Sequence, residues 1–508
     1  MSRTEKSLSN FKYSFLFFLL TLVLNFYSRK IFLDELGIEL LGVNTAVYNI
    51  INFLNVVEMG IAVSVSYALY KPLIDKDEKS INEIISIFGR FYRIIAKIII
   101  VVAIIILFLL PMIFRGNENN IYYAYFGFVI IGISTIIGYL YSFKHIIISA
   151  DQKNYIVTQI NSVCKVIKII LQICGLLYLP YYKYEVWLLL ELLFSVISIF
   201  WLNKTADRLY PFLKVNLIEA KNYGEKYPYI ITKIKQLFFH KISAFVLSQS
   251  IPLILLYIAN VELVGVFSNY QMIIMGITAL LGTVFSGMVA SVGNLIHDTK
   301  NALNVYWEIL LIEFILVSSM CFIFYFYANF FIDIWIGEQY RLDEWSFILL
   351  TLYLFFNLIR QSDIFLSAYG LFGDIGAPII ELILNLGCSV ILGKRYGLPG
   401  ILAGMNISLF LVVFLWKPFY LFRKGFRASF MSYIIKMISL ISLSIISAYA
   451  IYSIGSIKFN YFTNQYIDLI LSTIFNYGGF VILQFVVYVL FFEEFKSLIY
   501  RIKNILKK

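Results

Sequence analysis

Charge is scarce in this 508-residue chain: Asp, Glu, Lys and Arg together make up only 14% of it. Soluble domains carry about 25%. Histidine is scarcer still. Its three copies, His145, His240 and His297, lie far apart and form no HExxH pair, which leaves no zincin-type metal site. Cys164, Cys174, Cys321 and Cys388 all fall inside apolar runs, where they read as small hydrophobic residues rather than disulfides or metal ligands. No GxxxxGK[ST] stretch is present to cradle a nucleotide phosphate. The first apolar run, from Phe11, is long enough to span and lacks a small-residue cleavage site, so no signal peptide is expected. Asp75-Lys76-Asp77 has the DxD form some glycosyltransferases use to hold a metal. It sits among other charges in a loop and reads as a solvated turn.

What fills the chain instead is apolar. Hydrophobic residues make up 61% and the mean hydropathy is +0.84, more than a soluble fold could hide. The bilayer must act as solvent. A helix crosses its hydrocarbon with about 20 apolar residues. Strands would alternate polar with apolar positions, and runs such as Ile98 to Phe114 and Met437 to Ile451 do not. The fold class is therefore an all-α integral membrane protein. Fourteen spans are expected, near 11–33, 42–69, 92–114, 121–143, 156–179, 184–203, 236–258, 262–292, 305–332, 345–368, 376–393, 398–422, 430–453 and 467–492.

A net charge of +11 would suit a nucleic-acid partner, but the basic residues sit mostly in short loops between spans, so none is expected. With fourteen spans, 27 of the 41 Lys and Arg fall on the side of the termini and 8 on the other. The positive-inside rule puts both termini in the cytoplasm. The longest loop, 204–235, holds seven basic residues and reads as a linker lying on anionic headgroups. It divides a six-helix lobe, 1–203, from a second, 236–425; residues 426–508 form a terminal helix pair and basic tail. A faint repeat supports two halves. Glu39-Leu40-Leu41-Gly42-Val43 returns as Glu262-Leu263-Val264-Gly265-Val266, and Ile50-Ile51 as Ile273-Ile274, at one offset. Paired halves around a cavity are a transporter design. The loops on the outer side are short, leaving little room for the catalytic groups of a membrane-embedded glycosyltransferase or polymerase.

Ionisable groups inside spans cost at least about 2.5–3.5 kcal/mol at mid-helix and face a partner or a wet cavity. Candidates are Glu58, Lys97, Lys165, Lys168, Glu191, Lys241, Glu308, Glu313, Arg360, Asp363, Glu381 and Lys436. Lys165 and Lys168 share a helix face, to meet an anion or to snorkel. Arg360 either lines a cavity or pairs with Asp363. Tyr122, Tyr123, Tyr125, Tyr181, Tyr182 and Tyr184 form an interfacial belt or stack on sugars. Gly400 and Gly404 imply close helix packing.

Several stretches resemble bacterial polysaccharide transporters of the Wzx type, flippases of the superfamily that also holds multidrug–cation antiporters and lipid II flippases. They are Tyr27-Ser28-Arg29-Lys30-Ile31-Phe32, Glu58-Met59-Gly60, Tyr67 to Leu73, Ser149 to Tyr155, His240-Lys241-Ile242, Val264 to Tyr270, and Arg360 followed by Ser367 to Phe372, Glu381, Asn385 and Lys394 to Gly400. The resemblance implies two six-helix bundles in a V, alternating access, and no catalysis. Its implied substrate is an undecaprenyl-diphosphate-linked oligosaccharide, moved to the outer leaflet of a bacterial cytoplasmic membrane for surface polysaccharide assembly. Implied partners are membrane lipids and the polysaccharide polymerase and chain-length machinery. Arg29, Lys241 and Arg360 would meet the anionic headgroup, with Glu58, Glu381 and Asn385 beside the substrate. No cofactor is implied beyond a coupling cation, H+ or Na+. One departure is that Ser248-Gln249-Ser250-Ile251-Pro252 lacks the carboxylate relatives often carry there, which shifts any coupling to Glu58 or Glu381. A cation-coupled multidrug exporter is the alternative, against which the two extra spans count.

Overall fold

The computed structural model of the protein describes residues 3–58, 61–114, 120–293, 299–369, 371, 376–454 and 465–506. Side chains of 3–15, 56–57, 233, 235–248, 283–284, 286–293, 299–301, 454, 465–466 and 501–506 are outside that description. All regular structure in the described residues is helical. In chain order the α-helices are α1 (Arg3–Leu54), α2 (Ile61–Asp75), α3 (Glu78–Ile113), α4 (Ile121–Tyr141), α5 (Ile146–Ala150), α6 (Asn154–Tyr178), α7 (Lys183–Leu209), α8 (Ala220–Lys226), α9 (Pro228–Ile258) and α10 (Val261–Gly293). They continue with α11 (Thr299–Trp335), α12 (Glu344–Leu358), α13 (Gln361–Ala368), α14 (Gly376–Tyr396), α15 (Leu398–Leu409), α16 (Lys417–Tyr420), α17 (Phe430–Ile454), α18 (Gln465–Phe491) and α19 (Glu493–Leu506).

Among the described residues, 12 helices are long and apolar enough to cross a membrane. Two details reconcile this with fourteen. The helix α1 is counted once, although Gly37 at φ +80° divides it into two arms. The helix α9 is not among the 12, its last turns, Gln249–Ile258, forming only a shorter apolar helix. The protein is a multi-pass, all-α membrane protein. The expected second span, 42–69, is not one helix: it breaks at a 3-10 turn, Asn55–Glu58, before α2. The tenth breaks too, between α12 and α13. The twelfth runs to Phe426, because π-helical segments at Phe410–Trp416 and Leu421–Phe426 flank α16 and keep the helix continuous. Widened turns of this kind concentrate at functional sites.

The chain divides into two compact units, Met1–Ser268 and Asn269–Lys508. The division falls within α10 rather than in the 204–235 segment, which is pinned to α3. The Asn82 amide donates to the Phe212 carbonyl at 3.1 Å, and its Oδ1 accepts from the Lys214 amide at 2.9 Å. Ser86 Oγ accepts from the Asn216 amide at 3.0 Å. Lys226 and the Tyr227 hydroxyl both donate to Glu83, at 2.6 and 2.7 Å. In the same unit the two copies of the sequence repeat meet. A Cβ on Gly42 would overlap the Val261 carbonyl, and one on Gly265 would overlap the Ile38 carbonyl. Those two contacts are equivalent under the repeat, so the copies cross about a local pseudo-twofold, with glycine giving each backbone its approach.

The second unit has an aromatic core. Tyr306, Phe314, Phe365, Phe422, Tyr433 and Tyr488 are buried together with Phe492 and, from α19, Phe495. The terminal helices α17 and α18 are therefore part of this core and not an appendage. The close packing implied by Gly400 and Gly404 is present, since Cβ atoms there would strike the Leu392 and Ser389 backbones of α14.

Candidate functional site

The break between α12 and α13 exposes backbone amides inside a span, where unsatisfied groups are costly. A carboxylate meets them. Glu313 on α11, only 1% exposed, accepts from the Arg360 amide at 3.1 Å through Oε1. Its other oxygen, Oε2, has no donor in hydrogen-bond range. Arg360 turns its guanidinium elsewhere: Nε donates to the Asn357 carbonyl and Nη1 to Asp363 Oδ2, each at 3.3 Å. Asp363 also holds Lys417 Nζ, at 2.8 Å from Oδ1. Both alternatives for Arg360 thus have substance: it is paired with Asp363, yet about a third of its side chain remains accessible.

Lys417 is not among the candidates drawn from the sequence, where the basic residues of 417–427 read as the loop that ends a span. It lies instead between the two π-helical segments, 17% exposed. The apolar continuation Phe419-Tyr420-Leu421-Phe422 was the available signal that the helix had not ended. Glu381 on α14 is 4% exposed, lies within electrostatic reach of Lys417 and Arg360, and has one oxygen unpartnered. Arg360 and Glu381 are therefore brought together, joined by Glu313, Asp363 and Lys417. Beside them, on α11, α12, α17, α18 and the first π-helical segment, is an apolar cleft of about 470 Å³ lined by residues including Phe322, Phe355, Phe410, Phe414 and Tyr452.

The other candidate residues lie apart from this cluster. Asn385 is fully buried in the α14–α15 hairpin, donating to Ser408 Oγ at 3.2 Å. In the first unit, Glu58 sits at the break before α2 and accepts from the Tyr92 hydroxyl and, at 2.8 Å, from that of Tyr139. Arg29 donates to Ser268 Oγ at 3.2 Å, beside the glycine crossing. The Lys241 side chain falls outside the described residues. Lys168 meets Glu191 at 2.6 Å, while Lys165 is exposed. Gln249, in the Ser248–Pro252 stretch, accepts from Asn52 at 3.4 Å. Tyr123, Tyr181, Tyr182 and Tyr184 line a second, more polar cleft of about 620 Å³ with Lys183 and Glu185. Among the described residues no group of three or more His, Cys, Asp or Glu side chains is arranged to hold a metal ion.

Known structures share this arrangement of helices. A lipid II flippase, MurJ, in an inward closed conformation, superposes over 94% of this chain and 98% of its own with a TM-score of 0.67 at 16% identity. The chain has this fold. An inward-facing multidrug resistance MATE family transporter of the MOP superfamily matches over 78% of this chain and 94% of its own, TM-score 0.62, 13% identity. The MATE multidrug transporter DinF-BH matches over 82% and 94%, TM-score 0.53, 15% identity. No protein-family model matches the sequence, and no curated protein matches it.

Proposed function

We propose that the protein is a flippase that moves an undecaprenyl-diphosphate-linked oligosaccharide from the cytoplasmic to the outer leaflet by alternating access, with both termini in the cytoplasm of a bacterium. The observation that carries this reading is the pairing, in one unit, of accessible cations with an apolar cleft on shared helices. A lipid-linked diphosphate needs both: cations for its headgroup and an apolar wall for its chain. Arg360 and Lys417 supply the first, and the cleft around Phe355 and Phe414 the second. The match over 94% of the chain to a flippase supports it. Arg29 and Lys241 are further headgroup contacts in this reading, and Glu58, Glu381 and Asn385 shape the path. Its cellular partners would be a polymerase and chain-length machinery that consume the flipped unit.

A second reading, a cation-coupled multidrug exporter, draws on the likeness to MATE transporters. The two separate on substrate charge. Purified protein in proteoliposomes should expose a fluorescent polyprenyl-diphosphate sugar to an outside quencher faster than empty vesicles do. It should leave lipophilic cationic dyes where they are. Arg360→Ala should reduce flipping about tenfold at equal protein level, the loss of one hydrogen bond to a charged group. Dye export without flipping would replace the first reading with the second.

A further inference from the structure

The Glu313 carboxylate is enclosed in the second unit, with Oε1 committed to the Arg360 amide and Oε2 facing no donor. It touches no accessible surface and so has no part in holding a transported headgroup. Among the described residues, no element around it supplies a free counter-charge. On α11 itself, the Tyr306 hydroxyl pairs with that of Ser362. At the α12–α13 break, Arg360 is directed to Asp363 and to the Asn357 carbonyl, and the Gln361 backbone N–H is a second backbone donor toward the carboxylate beside that of Arg360. Asp363 on α13 adds a like charge. Lys417 of α16 is held by that same aspartate, and α17 contributes Tyr433, a neutral phenol in the aromatic core. Glu381 of α14 adds only a further acid within reach of Arg360 and Lys417. An ionised carboxylate with one oxygen bare in such a place costs several kcal/mol, whereas a proton on that oxygen removes the charge. In the first turn of α13 the Gln361 side-chain amide is 1% exposed, with neither of its polar atoms partnered.

We infer that Glu313 is a proton-binding site, carrying a proton on Oε2 in this conformation and shedding it when the break between α12 and α13 opens. The charge of the neighbouring cluster follows from that occupancy. Arg360 and Lys417 share one aspartate and have Glu381 within reach, and whatever charge Glu381 carries, the cluster is one unit more positive with Glu313 neutral than with Glu313 ionised. A proton at Glu313 therefore favours an anion at Arg360 and Lys417, and its release favours the anion's departure. The proton site stands without the flippase reading, because its own evidence is the enclosure of the carboxylate.

Infrared difference spectroscopy on the purified full-length protein, stepped from acid to alkaline buffer, tests this directly. The wild type should show a protonated-carboxyl C=O band that disappears on the alkaline side. Glu313→Gln keeps an oxygen for the Arg360 amide and should lose that band, while Glu381→Gln retains it. Spectra of Glu313→Gln that superpose on the wild type would overturn the assignment. Should that variant not fold, Glu313→Asp with carbon-13-labelled glutamate decides: the label must shift the band in the wild type and leave the variant's band unshifted, and a labelled band that persists in Glu313→Asp overturns the proposal. Failure to flip a lipid-linked sugar would leave this result untouched, and so distinguishes the two.

Discussion

Single residues in this protein are tied down by charge-assisted hydrogen bonds in places where water is scarce. At Glu58, two tyrosine hydroxyls point at one carboxylate beside a helix break. Bonds to a charged group contribute about 1.5–3 kcal/mol each. Tyr92→Phe and Tyr139→Phe should each lower the unfolding temperature measured in detergent, and the double variant should lose less than the sum, because both act on the same anion. Additive losses would mean the tyrosines do not share the carboxylate. Asp363 is the corresponding point in the second unit. Asp363→Asn leaves Arg360 and Lys417 facing each other without an anion. Its expected cost is about 1–3 kcal/mol, and adding Lys417→Met should recover much of it. The sequence pointed to Arg360 with Asp363, since i and i+3 share a helix face. It could not point to Lys417 or Glu313, which reach that face from two other helices.

Among elements, α19 shows how a short amphipathic helix is fastened. Its Phe495 enters the aromatic core, Ser497 donates to Glu308 at 3.0 Å, and Glu494 pairs with Lys436. Burial pushes the Glu494 carboxyl up, but the hydrogen bond and charge of Lys436 outweigh it and hold it below the usual carboxylate range. A lowered folded-state value stabilises docking at pH above the ordinary carboxylate value, and that contribution is lost as the pH falls through the folded value. Amide protection in 493–506, corrected for the intrinsic exchange rate at each pH, should therefore fall in acid, and Glu494→Gln should show low protection at neutral pH with the acid step removed. An unchanged acid step in that variant would place the titration elsewhere. The glycine crossing is the other decisive element contact. Gly42→Ala puts a methyl into the Val261 carbonyl, where the backbone must shift. A cost of about 1–3 kcal/mol is expected, read as a lower unfolding temperature and reduced monodisperse yield, with Gly265→Ala costing less because a Cβ there meets the Ile38 carbonyl at 2.7 Å, farther than one at Gly42 would lie from the Val261 carbonyl. The repeat could be read in the sequence. That its copies touch each other could not.

For the whole molecule, the terminal helices complete the core of the second unit. Met437 and Leu440 of α17 and Tyr488 of α18 are fully buried against α11 and the second π-helical segment. A chain stopped after Phe426 should thus fail to give a monodisperse protein rather than a working twelve-helix transporter. A stable truncated form would show that the aromatic core closes without them. By itself, the sequence determined the solvent, the helical class and close to the right number of crossings, because bilayer thickness and backbone hydrogen bonding leave a chain this apolar no other choice. It also marked the intramembrane charges, since each is costly enough to stand out. Only the tertiary structure decided which of them meet. Glu313, the Arg360–Asp363 pair, Glu381 and Lys417 come from separate parts of the chain, and their proximity depends on a broken span and a π-widened one, which local hydropathy does not encode.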